Sequence, residues 1–81
     1  MNYLKQISLS TIIRFGLPKE AKVSLTVYNV IGEEVTKLIN TQLKAGFHEV
    51  SFNNSNYSSG IYFYRIQADN FIETKKMILL K

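Results

Sequence analysis

Apolar and polar residues alternate along much of this chain, a pattern typical of β-strands that bury one of their two faces. The alternation is strictest in residues 22–28, whose inward-facing positions are Val23, Leu25 and Val27. Residues 10–17 also alternate, with Ile13, Phe15 and Leu17 on one face. Pro18 ends this segment because proline has no amide hydrogen to donate to a neighbouring strand. Residues 47–52 predict a further strand, with inward-facing Val50 and Phe52.

Residues 34–39 give a mixed pattern that leaves two interpretations open. Val35, Leu38 and Ile39 fit the i, i+3, i+4 spacing of an amphipathic helix. The segment is too short for a stable isolated helix and lacks a capping box, so we predict a third strand. Gly32 lies in the turn before this strand, where we expect a positive φ.

Residues 61–68 carry apolar side chains on both faces of a predicted strand. Tyr62, Tyr64 and Ile66 share one face, and Ile61 and Phe63 share the other. A strand that is apolar on both sides belongs in the middle of a fold, so we predict a central position for it. Short polar residues at 69–70 tolerate a left-handed turn, which predicts a hairpin between this strand and a last strand over residues 71–80.

The succession of short strands and turns predicts an all-β fold. We expect an antiparallel β-sandwich of about seven strands, of the immunoglobulin or fibronectin type III kind. The turn glycines and the aromatic residues of the central strand are the expected structural motif of this fold, namely Gly32, Gly46, Gly60, Tyr62 and Tyr64.

Composition narrows the class of protein. With 81 residues the chain has room for one domain, and without cysteine it must be held together by burial alone. The net charge of +4 would suit an anionic partner, but the basic residues are scattered along the chain, so we expect no nucleic-acid partner. No apolar run is long enough to span a bilayer. The first residues lack the pattern of a signal peptide, so the chain alone is expected to carry no export signal.

Few residues could carry chemistry. His48 is the single histidine, and a lone histidine on a strand is more often structural than catalytic. Without a second histidine or any cysteine, no metal shell can be completed from those side chains. We therefore expect no enzyme activity, no cofactor and no small-molecule substrate. The aromatic residues could form a sugar-stacking platform, but core packing is favoured, and only those at turns or ends can be exposed: Tyr3, Phe47, Tyr57 and Phe71.

Four blocks of the sequence, in this order, resemble the C-terminal sorting domain of the bacterial type IX secretion system: residues 10–18, 23–35, 45–52 and 58–81. The last block contains Ser-Ser-Gly-Ile-Tyr-Phe-Tyr-Arg and Thr-Lys-Lys-Met-Ile-Leu-Leu-Lys. Each block alone is common in β-sandwiches, whereas four in order with similar spacing are specific. The immunoglobulin-like domain of flagellar hook-capping proteins is a related family. The family usually opens with an Asn-Pro-rich stretch, and residues 5–9 contain no proline in its place.

The resemblance implies a non-catalytic domain that directs a fused cargo protein across the outer membrane. Residues 10–81 would form this domain and residues 1–9 a linker remnant. The implied partners are the outer-membrane secretion machinery and the upstream cargo, and the implied location is outside the cell or at its surface, reached through the periplasm when the cargo carries a signal peptide. Lys75, Lys76 and Lys81 are candidate recognition residues because they supply polar features on the last strand.

The alternative function is a fibronectin type III-like accessory or adhesion module that binds carbohydrate or protein. Such modules usually lie between other domains, whereas a sorting domain ends its protein. The position of the last block at the end of the given sequence favours the sorting function.

Overall fold

The computed structural model describes residues 10–53 and 57–79, and all regular structure in this part of the chain is β. Six strands follow one another: β1 (Ser10–Leu17), β2 (Ala21–Asn29), β3 (Glu34–Leu43), β4 (Gly46–Asn53), β5 (Gly60–Ala68) and β6 (Phe71–Leu79). The described residues therefore hold six strands rather than about seven. β3 continues to Leu43, four residues beyond its predicted end at Ile39.

The strands form two antiparallel sheets. β1 pairs with β4, from Ser10 opposite Asn53 to Leu17 opposite Gly46. The larger sheet has the order β3-β2-β5-β6, so β5 has a neighbour on each side and its predicted central position is confirmed. A turn of two residues joins β5 to β6, and its first residue, Asp69, has a φ of 53°. The predicted hairpin is therefore present.

The inner faces of the two sheets pack against each other in two clusters. The first joins β1 to the middle of the larger sheet through Ile13, Leu17, Ala21, Val23, Leu25, Ile66 and Ala68. The second joins β4 to β2, β5 and β6 through Val27, Phe52, Tyr62, Met77 and Leu79. The inward positions predicted from alternation face the core, although Phe15 and Val50 are only half-buried. Period-2 patterning thus predicts the core of this sandwich.

β3 is a strand, as predicted, and its mixed pattern has a structural cause. The pairing of β3 with β2 shifts register at two points. Each shift changes which side chains of β3 face the core. As a result Val35, Leu38 and Ile39 all pack against the core, although their spacing suits a helix.

The two faces of β5 are not equally covered. On the inner face Tyr62 and Ile66 are buried, whereas Ile61 on the outer face is 43% exposed. A sandwich of two sheets buries only the inner face of each sheet. β5 is therefore central within its sheet, while its outer face remains partly exposed at Ile61.

Candidate recognition surface on the C-terminal strand

β6 is exposed on both faces along most of its length. Its first six residues are exposed, and only Met77 and Leu79 are buried. Because the smaller sheet has two strands and the larger has four, the smaller sheet does not cover all of β6, the outermost strand of the larger sheet. Met77 and Leu79 pack in the second core cluster and anchor the end of β6. Ile78 between them is 59% exposed, and Leu80 lies outside the described residues.

Two of the three candidate lysines are exposed and lie on opposite faces of β6. Lys75 faces the inner side, and its Nζ lies 3.7 Å from Oε2 of Glu73. Lys76 faces the outer side opposite Phe63. Among the described residues Lys76 has no ion-pair partner. Lys81 lies outside the described residues. Lys75 and Lys76 therefore do not form one charged patch, because alternation along the strand separates them.

The free edge of β6 presents backbone groups to solvent. In a two-residue hairpin the two residues that flank the turn bond to each other through both N–H and C=O groups. Along the ladder, such hydrogen-bonded pairs alternate with non-hydrogen-bonded pairs, whose backbone groups point away from the partner strand. Ala68 opposite Phe71 begins this series, which continues without a register shift to Gly60 opposite Leu79. The intervening residues direct their N–H and C=O groups away from β5: Ile72, Thr74, Lys76 and Ile78. Within the described part of the chain no strand pairs with this edge.

Gly60 and Tyr62 shape the beginning of β5. Gly60 has a φ of 150°. The hydroxyl of Tyr62 donates a hydrogen bond to the carbonyl of Ser58 at 2.9 Å. Tyr57 packs edge-on against Tyr62, with ring centroids 6.5 Å apart, and stacks on Phe52 at 5.3 Å. Tyr57, which could have been exposed, is instead half-buried and closes the second core cluster.

Of the remaining motif residues, Tyr64 lies on β5 opposite Lys75 of β6, whereas Gly32 and Gly46 belong to other elements. Tyr64 is half-buried and contacts both core clusters, and Gly46 begins β4 with a φ of 124°. Gly32 has the expected positive φ, 90°. Sequence reasoning did not identify Asn29 as the residue that organises this turn. Its Oδ1 accepts hydrogen bonds from the backbone N–H groups of residues 31 and 33, at 3.1 and 2.9 Å. A turn-initial asparagine is the available signal for such an arrangement.

Sequence reasoning also missed the apolar surface on the outer face of the larger sheet. Ile61 lies directly opposite Ile78, and Ile78 is 59% exposed. Val30 and Ile31 in the β2–β3 turn are also exposed. The available signal was the apolar character of residues 61–68 on both faces, since a two-layer fold must leave one of those faces outside.

The remaining candidates for chemistry have structural contacts. Nε2 of His48 lies 2.7 Å from the carbonyl oxygen of Lys44, and the ring stacks on Phe15 with centroids 5.5 Å apart. In residues 10–53 and 57–79 no three side chains are grouped as metal ligands. No helix in this part of the chain is long and apolar enough to cross a membrane. Phe47 and Phe71 are exposed, as turn and end residues can be, and Tyr3 lies outside the described residues.

The fold and the exposed last strand can be compared with known families. Residues 6–80 match the model of the secretion system C-terminal sorting domain. The chain belongs to this family. The match covers the four blocks that carry the resemblance to type IX sorting domains up to residue 80, and that identification is confirmed. Neither the curated proteins nor the solved structures provide a significant match.

Membership fixes the general role of this sorting domain. It acts as a C-terminal secretion signal that works together with a fused cargo and the secretion machinery. Its location is outside the cell or at the cell surface when it is fused to cargo. Sorting domains are generally non-catalytic.

Proposed function

We propose that this sorting domain carries a fused cargo across the outer membrane through the type IX secretion system, and that the machinery recognises β6. The family match over residues 6–80 is the observation that carries the transport function. The exposure of the first six residues of β6 supports recognition there, because a receptor can reach them without unfolding the domain. Lys75, Lys76 and Lys81 supply the charges that such a receptor would contact.

The proposed fold type is that of fibronectin type III domains. The order β3-β2-β5-β6 corresponds to strands C′, C, F and G, and the β1–β4 pair corresponds to B and E. On strand F of this fold class a tyrosine hydroxyl bonds to the backbone a few residues upstream. The hydrogen bond from Tyr62 to Ser58, four residues upstream on the chain, supports the same assignment.

The proposed organisation has two parts. Residues 10–81 form the recognised domain, and residues 1–9 link it to the cargo. The domain is recognised as a folded module, and it needs neither a cofactor nor a small-molecule substrate.

The test is a fusion of the whole 81-residue chain to the end of a periplasmic passenger, expressed in a host with type IX secretion. We expect the passenger to appear outside the outer membrane. The variant replaces Lys75, Lys76 and Lys81 with glutamine. The control replaces three exposed lysines outside β6, namely Lys22, Lys37 and Lys44, and so removes the same charge.

We expect export to fall in the β6 variant and to remain unchanged in the control, with both folded by circular dichroism. Undiminished export of the folded β6 variant would exclude the lysines as recognition residues. Retention of the unaltered fusion in the periplasm would overturn the transport function itself and favour an accessory or adhesion module.

A further inference from the structure

The backbone of β6 offers a binding partner more hydrogen-bonding groups than its lysine side chains do. Ile72, Thr74, Lys76 and Ile78 direct their amide and carbonyl groups to the free edge. Such a row of backbone groups is a template for one more strand. An extended polypeptide is the ligand whose own backbone can satisfy all of these groups in turn.

The other strands with a free edge are less suited to strand addition. β3 has two register shifts against β2, and bulges of this kind twist an edge away from a new partner. β1 and β4 are each one residue shorter than β6, and Pro18 follows β1 directly. β6 pairs with β5 over its whole length without a shift. It is also the strand with six consecutive exposed residues.

We propose that β6 is the acceptor edge for a strand contributed by the outer-membrane secretion machinery, which extends the larger sheet by β-augmentation. This inference rests on the proposed function and names how recognition takes place. The incoming strand carries apolar side chains opposite Ile72 and Ile78 on the outer face, where both isoleucines are more than half exposed. It carries an acidic side chain opposite Lys76.

Charge distinguishes the two lysines of this edge. Lys75 already has Glu73 within 3.7 Å, whereas Lys76 has no ion-pair partner among the described residues. An acidic residue on the incoming strand would therefore pair with Lys76 on the outer face. Opposite charges across a strand pair stabilise the pairing, and like charges destabilise it.

The same rule disfavours a second copy of this chain as the partner. An antiparallel pair of two β6 strands that uses residues 71–79 in full brings residue 75 opposite itself, so Lys75 would face Lys75. A strand from another protein has no such restriction.

The test uses the fusion of the whole chain with Thr74→Pro, and Thr74→Ala as its control. Proline removes one amide hydrogen that faces the free edge and leaves the hydrogen bonds to β5 in place, because proline is tolerated at edge positions whose N–H faces solvent. Alanine removes the same side chain and keeps the amide. We expect export of the proline variant to fall about tenfold relative to the alanine variant, which corresponds to ~1.4 kcal/mol of binding free energy.

Export of a folded Thr74→Pro fusion at the level of the alanine control would overturn strand addition and leave the sorting function standing. Failure of the unaltered fusion to leave the periplasm would instead overturn the proposed function on which the inference rests. Lys76→Gln should reduce export more than Lys75→Gln, and the reverse order would overturn the proposed placement of the acidic side chain.

A second measurement does not depend on the folding of a variant. Amide hydrogen exchange of the whole chain is followed by NMR with and without a synthetic peptide as long as β6, in which threonine and valine alternate from an initial threonine and glutamate replaces the fourth residue, so that an antiparallel pairing places glutamate opposite Lys76 and valine opposite Ile72 and Ile78. We expect the peptide to slow exchange at Ile72, Thr74, Lys76 and Ile78, while residues 73, 75 and 77 are protected in both samples. Unchanged exchange at the four edge amides would overturn the proposal. Protection of these amides without peptide, together with a dimer in analytical ultracentrifugation, would identify a second copy as the occupant and also overturn it.

Discussion

Phe47 and Phe52 provide a matched test of the sandwich, because both lie on β4 and face opposite sides. Phe52 is 2% exposed in the second core cluster, whereas Phe47 is 95% exposed. Each is replaced by alanine in the whole chain. Truncation of a buried phenylalanine costs ~3–5 kcal/mol because it loses buried apolar surface and leaves a cavity. An exposed substitution is usually neutral to within about 0.5 kcal/mol.

The size of the domain sets the scale of this loss. At about 0.05–0.15 kcal/mol per residue, a domain of this length has a free energy of unfolding of about 4–12 kcal/mol. Phe52→Ala therefore removes a large part of the stability and can unfold the chain. Phe52→Leu keeps most of the buried volume and gives a graded, measurable loss. Each kcal/mol lowers the melting temperature by about 4–8 °C in domains of this size.

The assay is urea denaturation followed by far-ultraviolet circular dichroism. We expect the midpoint to fall for Phe52→Leu, to fall further or be lost for Phe52→Ala, and to remain unchanged for Phe47→Ala. A greater loss at Phe47 than at Phe52 would refute the pairing of β4 with β1, because a shift of one residue exchanges the two faces of a strand. Equal losses of stability would mean that the outer face of β4 is buried by residues outside the six strands.

Three further outcomes are expected. Tyr62→Phe removes the hydroxyl that donates to the Ser58 carbonyl and should cost ~0.5–1.5 kcal/mol by thermal denaturation, with retained stability arguing against this contact. Asn29→Ala leaves two backbone N–H groups of the turn without their acceptor and should cost ~1–2 kcal/mol, measured in the same way, whereas a neutral result would show that the turn holds without its side chain. Arg14→Gln breaks an ion pair with Glu49 whose partners are both largely exposed, so the free energy of unfolding from urea denaturation should change by less than ~1 kcal/mol, and a larger loss would indicate a less exposed pair.

The larger part of the fold follows from period-2 patterning, and the exceptions have local causes. β2 keeps one register against β5 and shows strict alternation in its sequence. β3 changes register twice against β2, so the side chains that reach its core side recur at the spacing of a helix. Alternation within a single strand cannot predict where such register shifts occur, because they depend on the partner strand.

Burial on the outer face of the larger sheet also depends on neighbours. Thr26 alternates with core residues and should be exposed, yet it is 4% exposed. Its partners across the two neighbouring strands are Lys37 and Arg65, whose long aliphatic stems can cover a small residue between them. Arg65 also places its guanidinium over the ring of Tyr28, 5.1 Å from the centroid. Sequence alone does not show which residues become cross-strand neighbours.

The recognition surface could be predicted only in part for the same reason. Lys75 and Lys76 are adjacent in sequence, but the strand places them on opposite faces. Which strand lies at an edge follows from the order β3-β2-β5-β6, and this order is a tertiary property. The accessible backbone of β6 is therefore visible only once the sheet has been assembled.

The direction of β6 relates the exposed edge to the point where the chain enters the sandwich. β1 begins at Ser10, opposite Asn53, next to the cluster that contains Phe52 and Leu79. β6 runs from the β5–β6 hairpin at the opposite end of the sandwich towards this cluster. Its exposed residues thus begin at the end remote from any cargo that precedes Ser10, and its buried anchor lies at the near end. A partner strand can pair with the remote part of the edge while the anchor keeps β6 attached to the core, so recognition and stability rest on different residues of one strand.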